Sequence, residues 1–111
     1  MLKTVIKTKE LVVGNDITPA VYRLPAEVGI YEAGTIVEFD SMAKKMKKAT
    51  TAANMFGIVA DDSEVNLKNN ELVVYVKGRF DFKECVCPEV DGETILDYIV
   101  RGKETGIFFA E

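Results

Sequence analysis

The clearest pattern of apolar and polar positions lies between residues 55 and 89. A continuous apolar run, residues 56–60, ends at Asp61-Asp62, which is typical of a central strand followed by a turn. A longer strand is predicted over residues 71–77. Its faces carry Leu72, Val74 and Val76 on one side and Val73, Tyr75 and Lys77 on the other. Since both faces are mostly apolar, we expect this strand to be covered on both sides, partly by another subunit.

The pattern changes after Gly78, which predicts a bulge or bend. Beyond it, Phe80 and Phe82 are expected to face the core. A helix is predicted to open at Asp91-Gly92 and to end at Gly102. Its buried stripe is expected to consist of Ile95, Leu96, Ile99 and Val100. Residues 107–110 then predict a buried final strand, and deleting it should be severely destabilising.

Upstream, residues 21–24 and 35–39 have the composition of β-strands. Residues 41–51 fit two structures, a helix capped by Asp40 or Ser41 or a β-turn followed by a short lysine-rich strand. This segment carries Lys44, Lys45, Lys47 and Lys48, with no acidic residue beside them in sequence. The cluster is interpreted as a solvated hairpin tip; the alternative is a patch complementary to an acidic partner.

The N-terminal stretch differs from the rest of the chain. Residues 4–8 have strand propensity, residues 11–13 form a short apolar patch, and Lys3, Lys7 and Lys9 make this end basic. It contains too little apolar surface to fold alone. Two interpretations remain open: a frayed terminus or ordinary edge strand, or an extended arm over residues 1–13 that adds to another subunit's sheet.

The length, net charge and composition of the chain limit the functions that it can have. The length of 111 residues predicts one domain, and we expect its β-rich body to span residues 14–111. Its net charge of −4 repels the phosphate backbone, so nucleic-acid binding is not expected. No apolar run has the length of a membrane span, and no secretory signal is expected at the N-terminus.

Candidate chemistry is sparse. Histidine is absent, which removes the commonest general base and metal ligand. Asp61 and Asp62 are interpreted as turn residues, because neighbouring strand residues point to opposite faces. Cys85 and Cys87 are expected to share a strand face, about 6.6 Å apart at Cα, as buried or half-buried side chains in a reducing compartment. We therefore predict no enzyme, no cofactor and no metal site.

The order of these elements resembles the bacteriophage head decoration protein family, the lambda head protein D-like proteins. The resemblance covers most of residues 14–111 and depends on the order and spacing of several short stretches. These are residues 14–16, 34–37, 56–60, 73–80, 88–89 and 106–109, with Glu84 between them. Cys87 and the lysine-rich residues 44–48 depart from the family pattern.

The resemblance implies a mostly β fold, a small compact β-barrel-like domain of β-tulip or β-clip type. One short α-helix lies near the C-terminus and an extended arm at the N-terminus. It further implies a homotrimer on the outer capsid surface of the virion, assembled in the host cytoplasm, that clamps neighbouring major capsid (coat) proteins. The arm would pair with coat β-structure, and its candidate coat-binding residues are Lys3, Thr4, Val5, Ile6, Lys7, Thr8 and Lys9.

Two other functions are alternatives to capsid decoration. A small β-barrel module for carbohydrate or a small ligand would use exposed aromatics, whereas Phe80, Phe82, Phe108 and Phe109 are better explained as core. An enzyme using Asp61, Asp62 or a lysine is the least favoured function. The residues of the trimer interface are not identified by the sequence.

Overall fold

The computed structural model describes residues 11–14 and 17–110. Within them, the chain forms eight strands, one α-helix and two 3-10 turns, at Ala52–Asn54 and Phe82–Glu84. In chain order the strands and helix are β1 Ala20–Pro25, β2 Gly29–Tyr31, β3 Ile36–Asp40, β4 Lys45–Lys48, β5 Gly57–Val59, β6 Ser63–Val65, β7 Glu71–Asp81, α1 Ile95–Thr105 and β8 Ile107–Ala110. The predicted mostly β fold with one short helix near the C-terminus is confirmed.

The strands form two sheets that do not close into a barrel. The larger sheet has the order β1-β7-β5-β3-β4, with β8 parallel to the end of β7, while β2 and β6 pair separately. Among the described residues, the outer strands β1 and β4 form no ladder with each other. They approach where Ala26, just after β1, bridges Met46 and the N–H of Glu27 donates to the Met46 carbonyl at 2.8 Å. The expected barrel-like closure is therefore replaced by an open, curved sheet with free edges.

The long strand β7 is the hub of the larger sheet, since it pairs with β1, β5 and β8. Its two faces serve different core clusters, as the two apolar faces predicted. Leu72 and Val74 pack into one cluster, whereas Tyr75 contacts Phe80 in the other, with ring centroids 5.1 Å apart. Simple alternation would put Phe80 on the face of Leu72. The register with β1 shifts between the pairs Ala20–Lys77 and Val21–Tyr75, so Val76 is an extra residue in β7 and the side-chain phase changes there, two residues before Gly78.

Helix α1 packs with a different face from the predicted one. Tyr98 and Gly102 are buried, but Leu96 and Val100, expected in the stripe, are 64% and 65% exposed. The helix continues through Gly102 and ends at Gly106, which adopts the left-handed cap conformation. Its start is fixed by a capping box, in which Thr94 and Asp97 exchange side-chain and backbone hydrogen bonds. The predicted end at Gly102 and half of the predicted stripe are therefore wrong.

The ambiguous segment 41–51 is a turn followed by strand β4, the second of the two predicted structures. Asp40 decides the outcome, because its carboxylate accepts hydrogen bonds from the backbone N–H groups of Met42 and Ala43. The same bonds lower the pKa of Asp40. The chain then reverses through Lys44, whose φ is 58°, and pairs in register with β3.

Candidate functional site

The candidate coat-binding residues, Lys3, Thr4, Val5, Ile6, Lys7, Thr8 and Lys9, lie outside the described residues. The described chain begins with the segment that joins them to the body. There Val13 donates to the carbonyl of Arg79 at 3.0 Å, and Asp81 donates to the carbonyl of Leu11 at 2.8 Å. Residues 11–13, which the prediction assigned to the arm, are thus paired with β7 and belong to the body.

Leu11 fixes this segment by its side chain as well. It is 5% exposed and belongs to the same core cluster as Ile36 and Phe80. Gly34 makes room for it, because a Cβ at that position would meet the Leu11 side chain at 3.2 Å and overlap the carbonyl of Glu84. Gly34 also has a φ of +92°, which side-chain-bearing residues adopt only with strain. Hence Leu11 and the pair of backbone hydrogen bonds anchor the chain to β7.

Strand β1 is an exposed outer strand. Val21 and Tyr22 are 50% and 59% exposed, and Arg23 is exposed beside them. No other strand among the described residues pairs with the side of β1 that faces away from β7. An open edge with apolar side chains is a surface on which another chain can add a strand. The composition predicted this strand but gave no sign that it lies at an edge.

The turn between β3 and β4, residues 41–44, and the first residue of β4, Lys45, carry exposed apolar and basic side chains. Met42 is 92% exposed, and Lys44 and Lys45 are exposed next to it. We call these residues the hairpin tip. The remaining two lysines of the cluster have partners: the Lys47 ammonium lies 3.7 Å from Glu38, and that of Lys48 lies over the ring of Tyr31. The positive charge of the cluster is therefore concentrated at the tip.

Glu38 organises the polar cleft beside the tip. Its carboxylate accepts from the backbone N–H of Thr50 at 2.9 Å, from the Thr50 hydroxyl at 3.0 Å and from the Asn54 amide at 3.3 Å. Burial acts to raise the pKa of Glu38, but these hydrogen bonds and the charge of Lys47 outweigh it and lower the pKa. Glu38 is thus an ionised group that ties β3 to the following loop.

The cleft itself has a volume of about 390 Å³. Its walls are Glu38, Phe39, Asp40, Ser41, Lys47, Asn54, Phe56 and Arg101. Arg101 reaches it from α1, where its Nε donates to the carbonyl of Met55 at 3.0 Å and its terminal nitrogen contacts Glu104 at 3.3 Å. Phe39 stacks at a tilt against Phe56 on the rim, with ring centroids 5.6 Å apart.

A second depression, of about 270 Å³, lies on the other side of Arg101 between α1 and the 3-10 turn Ala52–Asn54. We call it the acidic groove. Its exposed apolar side chains are Ala53 and Val100, whereas Ala52 is fully buried beside them. Its charged groups are Glu93, Asp97, Glu104 and Arg101. Glu93 holds the turn in place, because its carboxylate accepts from the hydroxyl of Thr51 and from the backbone N–H of Ala52.

Cys85 and Cys87 are free thiols, and both are half-buried against the core, as expected. The expected shared strand is wrong, because residues 85–87 belong to no strand and only Val86 makes an isolated bridge. The two cysteines follow the 3-10 turn Phe82–Glu84, and Val86 between them pairs with the chain at Gly34 and Ile36. Burial raises the pKa of the Cys87 thiol, which lies against the hydroxyl of Tyr98. The arrangement favours packing over reactivity at this thiol.

The residues weighed for catalysis have structural roles. Asp62 accepts a hydrogen bond from the backbone N–H of Ala33 at 2.8 Å, and the Asp61 carbonyl accepts from Ser63. In the described part of the chain, no three or more Cys, Asp or Glu side chains are placed to hold a metal ion together. The described helices include none long and apolar enough to cross a bilayer.

Comparison with known proteins adds no relative: no family model matches the chain, and no curated protein matches it. The candidate surfaces are therefore defined by geometry. They are the anchored N-terminal segment, the open edge of β1, the hairpin tip and the acidic groove.

Proposed function

We propose that the chain is a structural virion protein that decorates a phage head. It forms trimers on the outer capsid surface and stabilises the expanded capsid by clamping neighbouring major coat subunits. Residues 3–9 pair with coat β-structure, and the body provides the rigid part of the clamp. The protein acts without a cofactor and binds neither nucleic acid nor membrane.

The anchoring of Leu11–Val13 to β7 carries this proposal. A clamp needs an arm that is fastened to a rigid body, because a grip on the coat is useful only if the load reaches the rest of the molecule. Leu11 is buried in the core, and two backbone hydrogen bonds fasten the segment to Arg79 and Asp81. The basic residues of the arm lie shortly before this anchor, Lys9 being separated from Leu11 by Glu10.

The position of the anchor also determines which strands bear a force applied to the arm. A pull on the arm enters the sheet at β7, the strand that pairs with β1, β5 and β8. The load is therefore shared among three neighbouring strands and does not fall on a single hairpin. Ten residues ahead of Leu11 extend to about 33–36 Å, which exceeds the roughly 30 Å diameter of a small domain. The arm is long enough to reach a neighbouring coat subunit.

Trimer formation supplies the remaining strength. A trimer carries three arms. Once one arm has bound, the other two bind at a high effective concentration, so that three weak contacts together give strong binding. The lysines of the arm favour an acidic rim on the coat. The open edge of β1, with Val21 and Tyr22 exposed, gives each subunit a further surface for strand pairing.

The experiment is co-sedimentation of the full chain with expanded, undecorated heads. Near-stoichiometric binding is expected for the wild type and loss of binding for a chain that lacks residues 1–10. The deletion stops before Leu11 so that the core stays filled. Failure of the wild type to bind any expanded head, or full binding by the folded deletion variant, would contradict the proposal.

A matched pair of substitutions tests the anchor itself. Val13→Pro removes the N–H that donates to Arg79, whereas Val13→Ala keeps it. We expect Val13→Ala to bind heads like the wild type and Val13→Pro to bind at least about tenfold more weakly while its body stays folded by circular dichroism. Equal binding by the two variants would show that the anchor carries no load.

The polar cleft favours a second candidate function, a binding module for carbohydrate or a small ligand. Phe39, 37% exposed, lies on its rim beside the charged pair Glu38 and Lys47, an arrangement that suits a hydroxylated ligand. A glycan array separates the two functions. Saturable binding that Phe39→Ala abolishes would favour the ligand module, and no binding would leave capsid decoration as the better account.

A further inference from the structure

The hairpin tip and the acidic groove are complementary in charge, and each has an exposed apolar side chain. The tip presents one exposed apolar side chain, Met42, close in sequence to two exposed lysines, Lys44 and Lys45. The groove presents the apolar side chains of Ala53 and Val100 together with three carboxylates and one guanidinium. Its volume of about 270 Å³ is sufficient for a methionine side chain, which adapts readily to irregular apolar spaces.

From this match we infer that the hairpin tip of one copy of this chain inserts Met42 into the acidic groove of a second copy. Lys44 and Lys45 then lie against the carboxylates at its rim. This contact would be the subunit interface of the proposed trimer. That three copies associate rests on the proposed function. The association itself requires only this chain.

The tip is held in a shape that suits insertion into a partner. Asp40 accepts hydrogen bonds from the N–H groups of Met42 and Ala43, and its carbonyl accepts from Lys44 at 2.7 Å. The ladder between β3 and β4 continues up to the pair Asp40 and Lys45. A tip fixed in this way loses little conformational freedom on binding. The cleft lined by Ser41 and Arg101 separates it from the groove of its own chain.

The groove is equally well fixed. Glu93 ties the 3-10 turn to the chain before α1, and Arg101 ties α1 to the carbonyl of Met55. Asp97 is held by the capping box at the start of α1. Val100 is nevertheless 65% exposed, although it lies on a helix whose opposite face is buried. Insertion of Met42 would cover this side chain and remove both exposed apolar groups from water.

The contact joins two different surfaces, so it is heterologous. Such a contact either closes into a ring or grows into a filament. A trimer is the ring that the proposed function requires.

Sedimentation velocity of the full chain over a range of concentrations tests the inference. The wild type should associate, and higher salt should weaken the association because the rim contacts are charged. Met42→Ser and Val100→Lys should each raise the dissociation constant about tenfold or more. Lys45→Glu should do the same by placing a carboxylate against the acidic rim. The control is Leu67→Ser, since Leu67 is 93% exposed on a different turn; it should associate like the wild type.

Mixing the tip variant Met42→Ser with the groove variant Val100→Lys should give dimers at most, because only one intact contact remains. A wild type that is monomeric at all concentrations, or Met42→Ser and Val100→Lys variants that associate like the wild type, would overturn the inference. If those variants stay trimeric while heads bind the wild type, only the inference fails. If the wild type associates as described but no head binds it, only the proposed function fails.

Discussion

Replacing Gly102 by alanine should destabilise the protein, although the same change in an ordinary helix stabilises it. Alanine has a higher helix propensity than glycine by about 1 kcal/mol. Gly102, however, is buried where α1 turns back onto β8. A Cβ there would overlap the carbonyl oxygen of Ile107 and come within 3.2 Å of its carbonyl carbon. Because both atoms are backbone, no side chain can rotate away, and α1 must move from β8.

The magnitude follows from these opposing effects. Overpacking of a fixed contact costs about 1–3 kcal/mol, and a clash with backbone belongs at the upper end of that range. Subtracting the propensity gain leaves a net loss of about 2 kcal/mol in the free energy of unfolding. For a domain of this size, that corresponds to a melting temperature lower by about 10 °C.

Thermal unfolding followed by circular dichroism measures this change. Lys103→Ala, at an exposed position of the same helix, should stay within about 0.5 kcal/mol of the wild type. Gly106→Ala, where φ is +88° but the nearest atom is 3.6 Å away, should cost about 1 kcal/mol through backbone strain alone. A Gly102→Ala variant that melts at or above the wild type would refute the close packing of α1 on Ile107.

Two further perturbations test the cleft and the anchor. Glu38→Gln should lower the stability at pH 7 by about 1–2 kcal/mol, measured by urea unfolding. Since the folded state lowers the pKa of Glu38 below its usual 4.5, this contribution is present above that pH and is lost as the pH falls through the folded pKa. Wild type and variant should therefore converge in acid, and a constant difference would contradict the assignment. Leu11→Ala should cost about 2–3 kcal/mol and Leu67→Ala almost nothing; equal effects would show that Leu11 is not in the core.

Much of the fold could be predicted, because buried positions require apolar side chains and the apolar pattern of a strand therefore records which of its faces are buried. Strand β7 is the clearest case. Its two apolar faces indicated two covered sides, and Leu72 and Tyr75 indeed pack into different clusters. A bulge or bend was predicted at Gly78, and the register shift of β7 lies two residues earlier, at Val76, while Gly78 itself has a φ of 142°. The open sheet was not predicted, since closure depends on how β1 and β4 meet and leaves no trace in local composition.

The helix shows why the rest could not be predicted. Leu96 and Val100 fit a helical stripe as well as Tyr98 does, and only the packing against β8 selects the buried face. Gly102 indicates a helix end in sequence, whereas the fold uses its missing side chain for a close backbone contact. The hairpin tip and the acidic groove come from distant segments, so no local pattern contains the site. The turn at Asp40 was one of two structures that the composition allowed.

The most direct test of the proposed clamp is the thermal stability of the capsid itself, measured by calorimetry of expanded heads with and without the full chain. The account predicts that saturating protein raises the melting temperature of the heads, and that a chain lacking residues 1–10 leaves it unchanged. Heads that bind the full chain at near-stoichiometric levels and still melt at the undecorated temperature would contradict the account.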